Sequence, residues 1–136
     1  MRCLSIILLI GFLSLLQKAE RDPRLVGKWT MLYSKDANGK IIKDEFFGKN
    51  YIEEYTKDGR LILDPQFLLD DMKRLGEITK LDYASIPTFQ WTTINNNTLR
   101  INYGELGSKD NRYGFLGDTL LLGYSNGNVR FLLRGK

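Results

Sequence analysis

The chain has 136 residues, 20 of them Lys or Arg and 16 Asp or Glu, for a formal net charge of +4; it has no histidine and one cysteine. That inventory removes the commonest general base and the commonest metal ligand, and it leaves no N/S donor set for zinc. The charges are dispersed between apolar positions with no basic block, which argues against a nucleic-acid binder and against membrane-surface attachment by charge.

The N-terminus opens with Met1-Arg2 and runs apolar from Cys3 to Leu16 before Gln17-Lys18-Ala19 interrupts it. A basic start, an apolar stretch of about 7–15 residues and a small residue form the layout of a secretory signal peptide. The run is shorter than the roughly 20 residues that span a bilayer. Residues 1–19 are therefore expected to be a signal peptide cleaved after Ala19, with 20–136 as the mature domain; a retained short anchor is the alternative. Cys3 opens the apolar run instead of following it, the reverse of a bacterial lipoprotein leader, so no lipid anchor is expected. The mature domain then has no disulfide and no thiol chemistry. It is expected to be exported, periplasmic or extracellular, without membrane insertion once the leader is removed.

From Leu25 onward, short apolar stretches alternate with turn signals, the pattern of an all-β domain. Leu25–Ser34 places Gly27, Trp29, Met31 and Tyr33 on one face. Asp36-Ala37-Asn38-Gly39 is a turn, and Ile41-Ile42 begins a short second stretch. Tyr51–Thr56 and Arg60–Leu63 flank the hairpin dipeptide Asp58-Gly59. Asp64-Pro65 then signals a helix start, with Asp as cap and Pro at the first helical position. The spacing predicts a helix over Gln66–Leu75 with Leu68, Met72 and Leu75 on one face, stopped at Gly76. Strands are expected again at Ile78–Tyr83, Phe89–Ile94 and Leu99–Tyr103, the last two joined by Asn95-Asn96-Asn97. Tyr113–Leu116 meets Thr119–Tyr124 across Gly117-Asp118, and Asn126-Gly127 leads into Val129–Arg134. Eight or nine strands in successive hairpins predict an antiparallel up-and-down barrel with one short inserted helix, closed so that its edges are hidden.

Leu25-Val26-Gly27-Lys28-Trp29, just after a leader, resembles the opening strand of lipocalins and of small bacterial lipocalin-like domains. The likeness continues through Tyr51–Leu61, Phe89-Gln90-Trp91, Asn97–Ile101 and Gly117–Leu122, and ends in the arginine-bearing strand at Arg130 and Arg134. It covers most of the mature chain through short motifs. The resemblance implies a calycin-type barrel in a binding and transport family, with a structural signature of Gly27 and Trp29. It also implies an arginine near the chain end packed over Trp29, Arg134 before Arg130. The inserted helix departs from larger lipocalins, which carry theirs after the barrel.

The inward face of the barrel is expected to carry Trp29, Met31 and Tyr33, then Tyr51, Glu53 and Tyr55. Phe89, Trp91, Leu99, Ile101 and Tyr103 continue it, followed by Phe115, Leu120 and Leu122, and by Phe131 and Leu133. Glu53 stands out because a buried carboxylate is costly unless paired or solvated. It faces a wet cavity, pairs with an arginine, or is turned outward by a bulge. The acid pairs Asp44-Glu45, Glu53-Glu54 and Asp70-Asp71 do not make a two-carboxylate hydrolase: strand neighbours point to opposite faces, and Asp70-Asp71 reads as a solvated helix face. Asp36-x-Asn38-Gly39 lacks the spacing of a calcium loop. Asn96-Asn97-Thr98 fits a glycosylation sequon, which has meaning only in a eukaryotic host; the leader and the resemblance point to a bacterium.

Two functions fit. In the first, a non-catalytic protein with no cofactor or metal binds a small hydrophobic or amphipathic ligand at the barrel mouth. Its contacts would be Tyr33, Tyr51, Glu53 and Trp91, covered by Phe67 and Met72 of the helix. In the second, a filled barrel serves as an inhibitor- or immunity-like interaction module of the cell envelope.

Overall fold

A computed structural model describes residues 20–76 and 88–135. The expected leader and the strand expected at 78–83 lie outside the described residues. In chain order the elements are β1 (Gly27–Lys35), β2 (Ile41–Ile42), β3 (Ile52–Tyr55), β4 (Arg60–Leu63) and α1 (Pro65–Arg74). They continue with β5 (Thr88–Ile94), β6 (Thr98–Asn102), β7 (Ser108–Leu116), β8 (Thr119–Gly123) and β9 (Val129–Arg134). From β3 to β9 each strand pairs antiparallel with the next, and β1 bridges β3 and β9 to close an eight-stranded barrel. The two-residue β2 pairs with the far end of β1, outside that circuit. The fold is all-β and closed as expected, and closure leaves no long unpaired edge.

Alternation decides what fills the barrel. Directly opposed residues of an antiparallel pair share a face, and the registers align Trp29 with Arg134, Trp91 with Ile101, Thr93 with Leu99 and Phe115 with Leu120. Trp29, Trp91, Tyr55, Leu25, Leu99, Leu120 and Leu132 are almost wholly excluded from solvent. Each such side chain contributes about 1.5–3 kcal/mol relative to exposure.

The expected faces fail in two places. A bulge in β1 between Met31 and Tyr33 shifts the register, and the extra residue turns Tyr33 to the outer face. There it stacks on Phe131 with centroids 4.9 Å apart, and the Lys35 ammonium lies over both rings. On β9 the inward set is Arg130, Leu132 and Arg134, so Phe131 and Leu133 face outward; Leu132 is fully buried and Leu133 is 42% exposed.

The helix begins where the sequence places it. Asp64 accepts from the backbone N–H of Gln66, and Pro65 occupies the first turn. The other Asp64 carboxylate oxygen accepts from the N–H of Ile52, which ties the start of α1 to β3. Its expected face is not the one held against the barrel. No residue of α1 is fully buried, and Leu75 is 58% exposed. Contact runs instead through Phe67 and Asp70, three apart and so on one side of the helix. Phe67 stacks on Phe46 and meets Tyr51 edge-on, and the Tyr51 hydroxyl donates to Asp70 at 2.8 Å. No helix among the described residues is long and apolar enough to cross a membrane.

Candidate functional site

The two ends of the barrel are built differently. At one end lie the β3–β4, β5–β6 and β7–β8 turns, and residues 20–26 fold across it. The N–H of Thr93 donates to the carbonyl of Glu20, and the Trp29 indole donates to the carbonyl of Leu25 at 2.8 Å. Asp22, 2% exposed, receives the Arg24 guanidinium at 2.7 Å and the Tyr113 hydroxyl at 2.7 Å. Burial works to raise the Asp22 carboxyl, but the hydrogen bonds from Arg24 and Tyr113 outweigh it and hold the group below the ordinary aspartate value.

Arg134 completes this end. Its guanidinium lies 4.3 Å from the Trp29 ring centroid and donates to the carbonyls of Val26 and Arg24. Gly27 is what permits that approach: its φ is +135°, and a Cβ there would stand 3.3 Å from the Arg134 Nη1. Gly27, Trp29 and Arg134 thus form the expected arrangement, with Arg134 rather than Arg130 over the indole.

At the other end the described residues leave the barrel interior unfilled. A partly enclosed cavity of about 260 Å³ runs between the strands. Its apolar wall comes from Met31, Leu61, Leu63, Ile101 and Leu122, and Phe46 and Phe67 cover it. Its polar lining is Glu53, Tyr55, Tyr103, Asn111, Tyr124 and Arg130, contributed from β3 and by β7, β9 and the ends of β6 and β8.

Glu53 faces inward, 8% exposed, and its carboxylate accepts from the Tyr55 hydroxyl at 3.1 Å. Burial drives its proton affinity above the ordinary glutamate value, against the opposing charge of Arg130 and the Tyr55 hydrogen bond. Burial likewise raises the phenols of Tyr55, Tyr103 and Tyr124, with the Glu53 charge acting in the same direction. Among the described residues no carboxylate lies within 4.0 Å of the Arg130 guanidinium. That group rests over the rings of Phe46 and Tyr124, 5.7 Å from each centroid.

Of the ligand contacts expected from sequence, Glu53 and Phe67 line the cavity. Tyr51 is buried in the clasp between α1 and the 43–50 loop, where burial and Asp70 push its phenol up to about 12. It lines a separate surface groove of about 380 Å³ beside Lys49 and Lys73. Tyr33 is on the outer face. Trp91 packs edge-on against Tyr55 and gives its indole N–H to the carbonyl of Thr56, toward the sealed end. Met72 belongs to neither the cavity lining nor the core cluster.

Sequence reasoning missed Arg130, Tyr124 and Asn111 as inward residues, and it placed Tyr103 inward without assigning it to the ligand site. A signal existed for Arg130: once Arg134 is placed over Trp29, the period of two sends Arg130 inward as well. Among the described residues no cluster of acids is arranged to hold a metal ion.

These features define a closed eight-stranded antiparallel barrel, sealed at one end and hollow at the other, an architecture compatible with calycin-like barrels. No family model, curated protein or solved structure matches the chain.

Proposed function

We propose that the chain is an exported, non-catalytic lipocalin-like protein that binds a small hydrophobic or amphipathic ligand in the open half of its barrel. The observation that carries this reading is the cavity itself, lined by apolar side chains and by six polar ones that include Glu53 and Arg130. Pockets of this composition, apolar with a few convergent polar groups, are where small molecules bind. At roughly 30 Å³ per water-sized group, 260 Å³ admits roughly nine such groups. An eight-carbon amphiphile (roughly ten non-hydrogen atoms) matches that volume. Octanamide and octanoate are suitable probes, titrated by calorimetry against the wild type and Leu63→Trp. Binding that disappears when the new indole fills the cavity, with the far-UV spectrum unchanged, supports the reading. Failure of both probes to bind the wild type sinks it.

A second reading, a surface-acting interaction module, draws on one observation. Ile52, Thr30, Leu133, Thr119 and Leu116 form a row of opposed residues across the outside of five strands. Ile52, Leu133 and Leu116 of that row are 40%, 42% and 68% exposed.

A further inference from the structure

Among the described residues the cavity lining holds one permanent cation, Arg130, and one carboxylic acid, Glu53, and no salt bridge joins the two. Arg130 has no carboxylate within 4.0 Å among the described residues, and its flanks are the π faces of Phe46 and Tyr124. A guanidinium presents several N–H donors in a planar fork suited to a carboxylate, and it stays charged at any physiological pH. Here that fork stands at the wall of the empty space beside the phenols of Tyr103 and Tyr124.

We propose that the cavity takes a short-chain carboxylate whose head lies against Arg130, and that this anion binds together with one proton taken up at Glu53. The proposal rests on the cavity-binding reading above and names its ligand class. The proton comes from bulk water and converts the Glu53 carboxylate to the carboxylic acid; no covalent bond to the ligand forms or breaks.

The coupling follows from the cavity's charge. With Glu53 protonated, its lining carries the single positive charge of Arg130, and an incoming anion neutralises it. With Glu53 ionised, the lining is already balanced, and a second anion in the same low-dielectric space would face like-charge repulsion. The groups facing Glu53 are few. Tyr55 on its own strand donates to it, Arg130 comes from β9, and Tyr103 and Tyr124 come from the ends of β6 and β8. Across the ladders it is opposed by Trp29 on β1 and Leu63 on β4, neither of which titrates. Burial already favours the protonated form; a bound carboxylate would favour it further, and linkage then makes protonation favour the anion equally.

The test is calorimetry with octanoate and its neutral isostere octanamide, from about pH 6 upward where octanoate is itself ionised. Wild-type affinity for octanoate should fall by up to about tenfold per pH unit through the Glu53 titration, with uptake approaching about one proton. Comparing buffers of different ionisation enthalpy counts that proton. Octanamide affinity should be flat, and Glu53→Gln should make octanoate binding flat and tight throughout. Arg130→Met should lose the preference for octanoate while keeping octanamide. Octanoate binding that is independent of pH in the wild type, or equally pH-dependent in Glu53→Gln, overturns the proposal while leaving the cavity-binding reading in place. Failure of both probes overturns both.

Discussion

The sealed and open halves of the barrel use the same kinds of residue to opposite ends. Each half contains an inward arginine from β9, a buried acid and a buried tyrosine. At the sealed end Arg134 is spent on Trp29 and two carbonyls, and Asp22 on Arg24 and Tyr113. In the open half, among the described residues, Arg130 has no carboxylate within 4.0 Å, and Glu53 has a phenol. Satisfied polar networks rigidify a core, whereas a buried carboxylate without an ion-pair partner costs stability. The comparison teaches that stability is concentrated at one end, which leaves the other free to hold polar groups in readiness for something else.

The strongest way to break that comparison is to remove packing at the sealed end. Trp29→Ala should cost about 3–5 kcal/mol in urea unfolding, since it deletes a fully buried indole and strands Arg134. A cost as small as that of the outer-face substitution below would mean that the sealed end does not hold the fold.

Next comes Asp22. Its proton affinity is lower in the folded chain than in the unfolded one. It therefore contributes stability above the ordinary aspartate value, and that contribution is lost as pH falls through its depressed folded value. Asp22→Asn should cost about 1–3 kcal/mol near neutral pH and flatten the acid limb of the stability profile. An unaltered acid limb would show that the network is idle.

Glu53 should give the opposite sign. Its folded proton affinity is raised, so its stabilising contribution is full at low pH and declines as pH rises from the ordinary glutamate value through the raised one. Glu53→Gln should therefore be neutral or stabilising by up to about 1–2 kcal/mol near neutral pH, with the gain fading in acid. A clear loss of stability would place Glu53 with the structural acids.

The smallest effect belongs to the outside of the barrel. Leu133→Lys should stay within about 0.5 kcal/mol, and a larger loss would show that the outer apolar row packs against something in the native protein.

Much of the fold was legible from sequence, because its signals are local. Asn-Gly and Asp-Gly turns set the hairpins, Asp64-Pro65 set the helix start, and Gly27-x-Trp29 with a late arginine set the seam. What failed depended on register. A single bulged residue in β1 reverses the face of Tyr33, and nothing in LVGKWTMLYS marks where the ladder slips. On β9 the apolar residues Phe131 and Leu133 are expected inside, although Arg134 over Trp29 requires Arg130 and Leu132 there. The helix face failed for a different reason. Periodicity selects Leu68, Met72 and Leu75, but the anchoring at Asp64, Phe67 and Asp70 decides which side meets the barrel.

The central claim is that the sealed half holds the fold while Arg130 in the open half receives an anion. Nitrogen-15 NMR of the uniformly labelled protein, titrated with octanoate near pH 6, tests it most directly because the two arginines of β9 and the Trp29 indole report separately. The expected result is a saturable shift of the Arg130 Nε–H, with the Arg134 Nε–H and the Trp29 indole N–H unmoved. Shifts at Arg134 and Trp29 with Arg130 silent, or shifts confined to the outer row around Ile52 and Leu133, would contradict it.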